Sequence, residues 1–150
     1  MKSHFERLYE YESWANARII ESMKVMDEIP EKALLLLSHV ISAQHEWLHR
    51  VLKTEVTNKF WESRTLEECI ELFWDTHDEW NDFFIKLQDA DLEKIFSYKN
   101  SKGIDYNSSL KDILTHLSTH SSYHRGQIVQ LLKGYIEPLP LTDYIVFSRE

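Results

Sequence analysis

Three of the chain's eight histidines stand four residues apart, at positions 116, 120 and 124. On a helix each step of four advances about 40°, so the three share one side. Leu110, Ile113, Leu117, Ile128 and Leu131 fall on that side too. The apolar arc they make encloses His120 and His124 and has His116 at its edge. Two inward-facing imidazoles one turn apart form a bidentate clamp for a metal. Burying imidazoles without partners is costly, and a divalent metal gives a partner to both. The competing reading is of core histidines bonded to backbone or polar groups.

A third ligand has to come from another helix, and residues 30–53 offer His39, His45 and His49. The run His45-Glu46-Trp47-Leu48-His49 matches H-E-x-x-H, in which two histidines hold zinc and the glutamate acts as base. On a helical wheel the apolar arc of this segment extends from Ala43 round to Leu34 and Leu52. His49 lies on the polar side, while His39 and His45 lie just beyond opposite edges of the arc. The wheel therefore argues against His45 and His49 as an inward pair. It leaves open which of His39 and His45 joins the clamp. A protease would also need Glu46 on a cleft and a further ligand downstream.

Three neutral imidazoles suit zinc or nickel foremost, with iron, cobalt or manganese as further options. They suit magnesium and calcium poorly, because those ions prefer oxygen. A site with three protein ligands keeps a position open, which is a catalytic layout, since structural zinc is usually closed by four. The open position can hold a water of lowered pKa or a thiol in its nucleophilic thiolate form.

The elements that carry these residues must be long helices. Only three glycines (Gly103, Gly126, Gly134) and three prolines (Pro30, Pro138, Pro140) occur, and strand folds need frequent turn residues. Phe5, Leu8, Trp14, Ala15, Ile19 and Met23 recur near the helical period and predict a helix over about 3–26. Pro30 is placed to open a second, over about 30–53. Thr65-Leu66-Glu67-Glu68 has the pattern of a capping box for a third that reaches about residue 88. Asn107, Ser108 or Ser109 caps a fourth, which Gly134 stops. Residues 91–107 read as a short hairpin or an ordered loop. The tail from Pro138 to Glu150 carries enough apolar residues to dock on the domain. The economical arrangement is all-α, an antiparallel four-helix bundle, in a single domain over residues 1–150.

Charge and composition narrow the function classes. Seventeen Lys and Arg against 25 Asp and Glu give a net charge of −8, which opposes sequence-independent binding to phosphate backbones, so no nucleic-acid partner is expected. Apolar residues make up 43%, too many for a disordered chain. No run approaches the ~20 apolar residues of a membrane span. The N-terminal MKSHFERLYE carries charges where a signal peptide needs an apolar run, so a cytoplasmic protein with no membrane partner is expected. Cys69 is the only cysteine, which excludes an internal disulfide and a cysteine-based zinc ribbon.

Four blocks together carry a family resemblance. They are Trp14-Ala15-Asn16, then His39 with Trp47 eight residues later, then His116-x-x-x-His120-Ser121-Ser122-Tyr123-His124-Arg125-Gly126-Gln127, and last Pro140-Leu141-Thr142-Asp143-Tyr144. In this order they resemble the DinB family of DinB/YfiT-like metalloenzymes over nearly the whole chain, with H-x-x-Y-H-R-G-Q the most specific segment. The resemblance implies a four-helix bundle in up-down-down-up order, a homodimer, and a divalent metal held by His39, His120 and His124. On this reading His45 and His49 are surface residues and His116 packs beside the ligands. It also implies a function: metal-dependent transfer of a low-molecular-weight thiol to an electrophilic small-molecule substrate. A metal-activated hydrolase and a non-catalytic metal-binding stress-response protein are the alternatives.

The remaining candidates are supporting residues. Gln127 falls close to His120 on the wheel, where it either orients a ligand or makes an edge hydrogen bond. Arg125 points away from the ligand arc and should pair with an acidic group. Tyr123 and Trp47, Trp74 and Trp80 are expected to pack, and Asn16 to make a structural hydrogen bond. Asp143 ties down the tail or meets a histidine. Cys69 is expected to be an inert packing residue.

Overall fold

The computed structural model of the chain describes residues 1–55 and 59–150. Four long helices, α1 (Lys2–Lys24), α2 (Glu31–Leu52), α3 (Leu66–Lys86) and α4 (Leu110–Leu132), make up most of it. A 3-10 turn (Asp89–Glu93) and two short strands, β1 (Ile95–Lys99) and β2 (Asp105–Ser109), separate α3 from α4, and a single turn, α5 (Tyr144–Phe147), lies in the tail. The strands correct the all-α expectation. They pair antiparallel, Ile95 opposite Ser109 and Lys99 opposite Asp105. Asn100 shapes their turn by accepting from the amides of Lys102 and Ile104 at 2.9 and 3.0 Å. Gly103 takes φ +76° there, a conformation that costs glycine little.

The caps follow the sequence. Thr65 Oγ1 accepts from the Glu68 amide at 3.2 Å, and Glu68 returns a carboxylate to the Thr65 amide at 2.7 Å, which satisfies two of the orphan donors at the start of α3. Of the three candidates for α4, Ser109 is the cap, accepting from the Asp112 amide at 3.2 Å. Gly134, at φ +89°, follows the end of that helix.

Helix α2 packs against α3 and α4, and α1 against the same two. One apolar cluster joins Phe5, Trp47, Trp80, Phe84, Leu110 and Leu117; another joins Ile19, Leu37, Ile41, Phe73, Ile128 and Leu132. Along each helix a polar layer falls between them. Arg125 is 1% exposed and donates to both carboxylate oxygens of Glu12 (2.7 and 2.9 Å), to Asn16 Oδ1 (3.1 Å) and to Ser122 Oγ (3.1 Å). Gln44 Nε2 donates to Glu12 Oε2 at 3.2 Å and Ser121 Oγ at 3.3 Å. Such buried charges persist only when paired and hydrogen-bonded. The layer ties α4 to α1 and α2, and because Arg125 adjoins His124 it fixes the rotation of α4 that turns its histidines toward α2. Arg125 and Asn16 thus have the structural roles expected of them.

The tail docks on α1. Tyr11 Oη donates to the Thr142 carbonyl at 2.8 Å, Tyr144 and Phe147 pack against Tyr11, and Glu150 accepts from Trp14 Nε1 and Arg18. Asp143 begins α5 with its backbone carbonyl. Trp47 and Trp80 are buried, but Trp74 is 54% exposed, against expectation. Its neighbour Phe73 takes the core position, and one helical residue further round the axis is solvent. Tyr123 likewise lies on the surface, edge-on to His124. Burial pushes the Cys69 thiol up to about 11, so it stays protonated and inert at neutral pH. Among the described residues, no helix is long and apolar enough to cross a membrane.

Candidate metal centre

The packing of α2 on α4 brings His39, His120 and His124 together, with one ring nitrogen of each within 4.8 Å of the others. The outer nitrogens of two rings are held by the protein. A carbonyl oxygen can only accept, so His39 Nδ1 carries a proton and donates it to the Phe60 carbonyl at 2.7 Å. His124 Nδ1 donates to Gln127 Oε1 at 2.7 Å. Each bond leaves Nε2 as the lone-pair nitrogen. His39 Nε2 faces His120 Nε2 at 3.0 Å. His120 Nδ1 is buried with no hydrogen-bond partner among the described residues, so that ring has only its Nε2 end to be stabilised through.

The loop after α2 is built to hold His39. Ser38 Oγ donates to the Glu62 carbonyl at 2.6 Å, and Arg64 Nη1 donates to Ser38 Oγ and Ser42 Oγ at 2.7 and 2.8 Å. The pinned loop delivers the Phe60 carbonyl and lays the Trp61 ring flat on His39, with centroids 3.6 Å apart and planes 6° apart. Trp61 also stands edge-on to His124.

Burial pushes the His39 imidazole below its usual pKa. It takes His120 down to about 3, with the neighbouring His124, His39 and His116 adding to the shift. Both rings are therefore neutral at pH 7, the form that ligates a metal. The 3.0 Å contact between the two Nε2 atoms is met by the proton of the His120 Nε2–H tautomer or by a cation in its place. Histidines whose outer nitrogens are fixed by carbonyl or amide oxygens match the donor pattern of metal sites, and the set could hold a divalent ion. His116 lies beside this group, its ring 5.2 Å from His120 and 5.6 Å from Trp47.

A second group departs from the sequence reading. His45 and His49 were expected on the surface. Instead His45 is 7% exposed, His49 is half-buried, and Glu79 of α3 joins them. The cause is α3, which packs along this side of α2; Trp80 Nε1 donates to the Gln44 carbonyl at 3.1 Å. A wheel built on apolar residues misses a face that is buried against polar ones. Glu46 is 1% exposed and outside the group, so the glutamate of H-E-x-x-H does not stand on a cleft as a base.

Sequence reasoning found Gln127 and missed Phe60, Trp61 and Glu79. The first two sit in a loop with no periodicity, and the third lies 30 residues from His49 on another helix.

The DinB family model matches residues 1–148. The chain belongs to the DinB family. Protein DinB of Bacillus subtilis (strain 168) is 25% identical to it over 156 aligned residues, covering 92% of this chain and 90% of the relative. In this DinB-family chain, the two histidines of the block H-x-x-Y-H-R-G-Q and His39 of α2 are the residues that meet.

Proposed function

We propose that this DinB-family chain is one up-down-down-up four-helix-bundle domain that holds a divalent transition metal between His39, His120 and His124. Cross-helix pairs support the arrangement. Glu12 meets Ser118 and Asn16 meets Arg125, so α1 and α4 run together. Trp47 meets His116 and His39 meets His120, so α2 opposes α4. Tyr9 meets Phe84 and Ser13 meets His77, so α3 opposes α1.

The function we infer is transfer of a small thiol to an electrophilic small molecule, by a cytoplasmic homodimer. The observation that carries it is the convergence of one ring nitrogen from each of the three histidines, with the outer nitrogens of His39 and His124 fixed by Phe60 and Gln127. A divalent ion with three neutral ligands supplies Lewis-acid stabilisation of a thiolate at an open position. The protein's own part is orientation: Phe60 and Gln127 set the rings of His39 and His124, and Trp61 shields one face of the site from water.

The test is a screen of the zinc- or nickel-loaded protein with low-molecular-weight thiols and electrophiles, following thiol loss. Substrate-dependent loss that His120→Ala abolishes is expected. Ester or amide hydrolysis without thiol loss would replace this reading with a hydrolase, and metal binding without either reaction would replace it with a non-catalytic metal-binding stress protein. Light scattering that gives a monomer at micromolar concentration would remove the dimer.

A further inference from the structure

We infer that His45, His49 and Glu79 form a second, separate site for a divalent cation of the zinc class. One donor atom from each lies within 4.8 Å of the others. His45 and His49 are one helical turn apart on α2 with ring centroids 4.2 Å apart, and Glu79 reaches across from α3 to place Oε2 3.0 Å from His49 Nε2. Thr54 Oγ1 lies 2.6 Å from His49 Nδ1. Its hydroxyl also lies within reach of the His49 carbonyl, at 3.4 Å. Donating there leaves the Thr54 oxygen to accept from Nδ1–H, which turns the Nε2 lone pair toward the carboxylate. In that tautomer a cation completes the 3.0 Å contact; with the proton on Nε2 the contact is an ordinary hydrogen bond whose proton a metal would displace, and His45 stands beside them as a third donor.

The chemistry of the set favours a metal over a simple ion pair. Two neutral imidazoles and a carboxylate are a donor set that zinc takes in enzymes, and the carboxylate offsets half of a divalent charge. Burial and the neighbouring His49 both hold the His45 imidazole below its usual pKa, which keeps a lone pair on it. Asp75 adds negative charge near His45 and Arg64 adds positive, but Arg64 is engaged by Ser38, Ser42 and Glu62. His49 and Glu79 line a groove of about 650 Å³ whose wall includes Val51, Phe83 and Phe96, so a small ligand could reach an ion there. The site stands apart from the three-histidine centre and does not depend on it.

Equilibrium dialysis of the chelator-stripped full chain against zinc, with elemental mass spectrometry, tests the assignment. The variants are His120→Ala, His49→Ala, Glu79→Gln and the His120→Ala/His49→Ala double, each checked for fold by circular dichroism. About two zinc ions per chain are expected in the wild type, about one in either single histidine variant, and none in the double. In the His120→Ala background, Glu79→Gln should weaken the remaining ion by about tenfold or more, and Thr54→Val by about tenfold, the low end of what losing an orienting partner costs. His120→Ala that binds no zinc, or zinc in that background undisturbed by His49→Ala and Glu79→Gln, would overturn the site and leave His49 and Glu79 as an ion pair only.

Discussion

His39 and His120 point their Nε2 atoms at each other across the α2–α4 interface, 3.0 Å apart. Neither ring gains anything from the other while both are unprotonated at that atom. The His39 proton is already committed to the Phe60 carbonyl at 2.7 Å, and burial disfavours adding a second proton to either ring. His120 supplies the missing proton from its own Nε2–H tautomer, since its Nδ1 has no partner among the described residues, and a divalent cation would take that proton's place between the two rings.

Gln127 sets the tautomer of His124 through a 2.7 Å bond. Gln127→Ala should leave the fold intact and weaken metal binding by about 10–100-fold, the usual cost of losing such a partner. Gln127→Glu should retain most of the affinity, because a carboxylate still accepts from Nδ1–H. Competition titration with a colorimetric chelator measures both, and unchanged affinity in Gln127→Ala would count against His124 as a ligand.

Glu12 and Arg125 are both buried, 3% and 1% exposed. Glu12→Ala leaves the guanidinium without its carboxylate and should cost about 3–5 kcal/mol of stability. Replacing both, as Glu12→Leu with Arg125→Met, should recover much of that loss, since apolar residues of similar volume often substitute for a buried pair. Urea denaturation of the three proteins gives the comparison; equal loss in the single and double variants would contradict it.

Metal-free protein should lose stability as pH falls. His120 titrates near 3 in the fold against the usual 6.5 in the unfolded chain, and His39, His45 and His116 are shifted in the same direction by burial. Between these values the unfolded chain binds protons that the fold refuses. The stabilisation is therefore complete above about pH 6.5 and declines as pH falls toward 3. Chelator-treated protein unfolded in urea from pH 8 to pH 5 should show this fall, with a shallower slope for His120→Asn. A stability rising toward pH 5 would mean that the rings are protonated in the fold.

Much of the architecture was legible because it rests on local signals. The scarcity of glycine and proline gave long helices, Thr65 and Glu68 marked one start, and the spacing of His116, His120 and His124 placed two of them on the inner face. The wheel could not choose between His39 and His45, since both lie at arc edges and the choice depends on which neighbour covers which edge. The structure brings His39 to α4 and His45 to α3. Trp74 misled because size suggests burial, while its position beside Phe73 decides exposure. Trp61 and the Phe60 carbonyl carry no pattern at all, because they act through an irregular loop that its own Arg64 pins to Ser38 and Ser42 of α2.

The most direct test of the account is the metal content of protein purified without a tag and counted by elemental mass spectrometry, comparing wild type with His39→Ala and His120→Ala. The account predicts transition metal in the wild type and the loss of about one ion per chain in both variants. A wild type that takes up no metal after incubation with zinc or nickel, or variants that retain all of it, would contradict it.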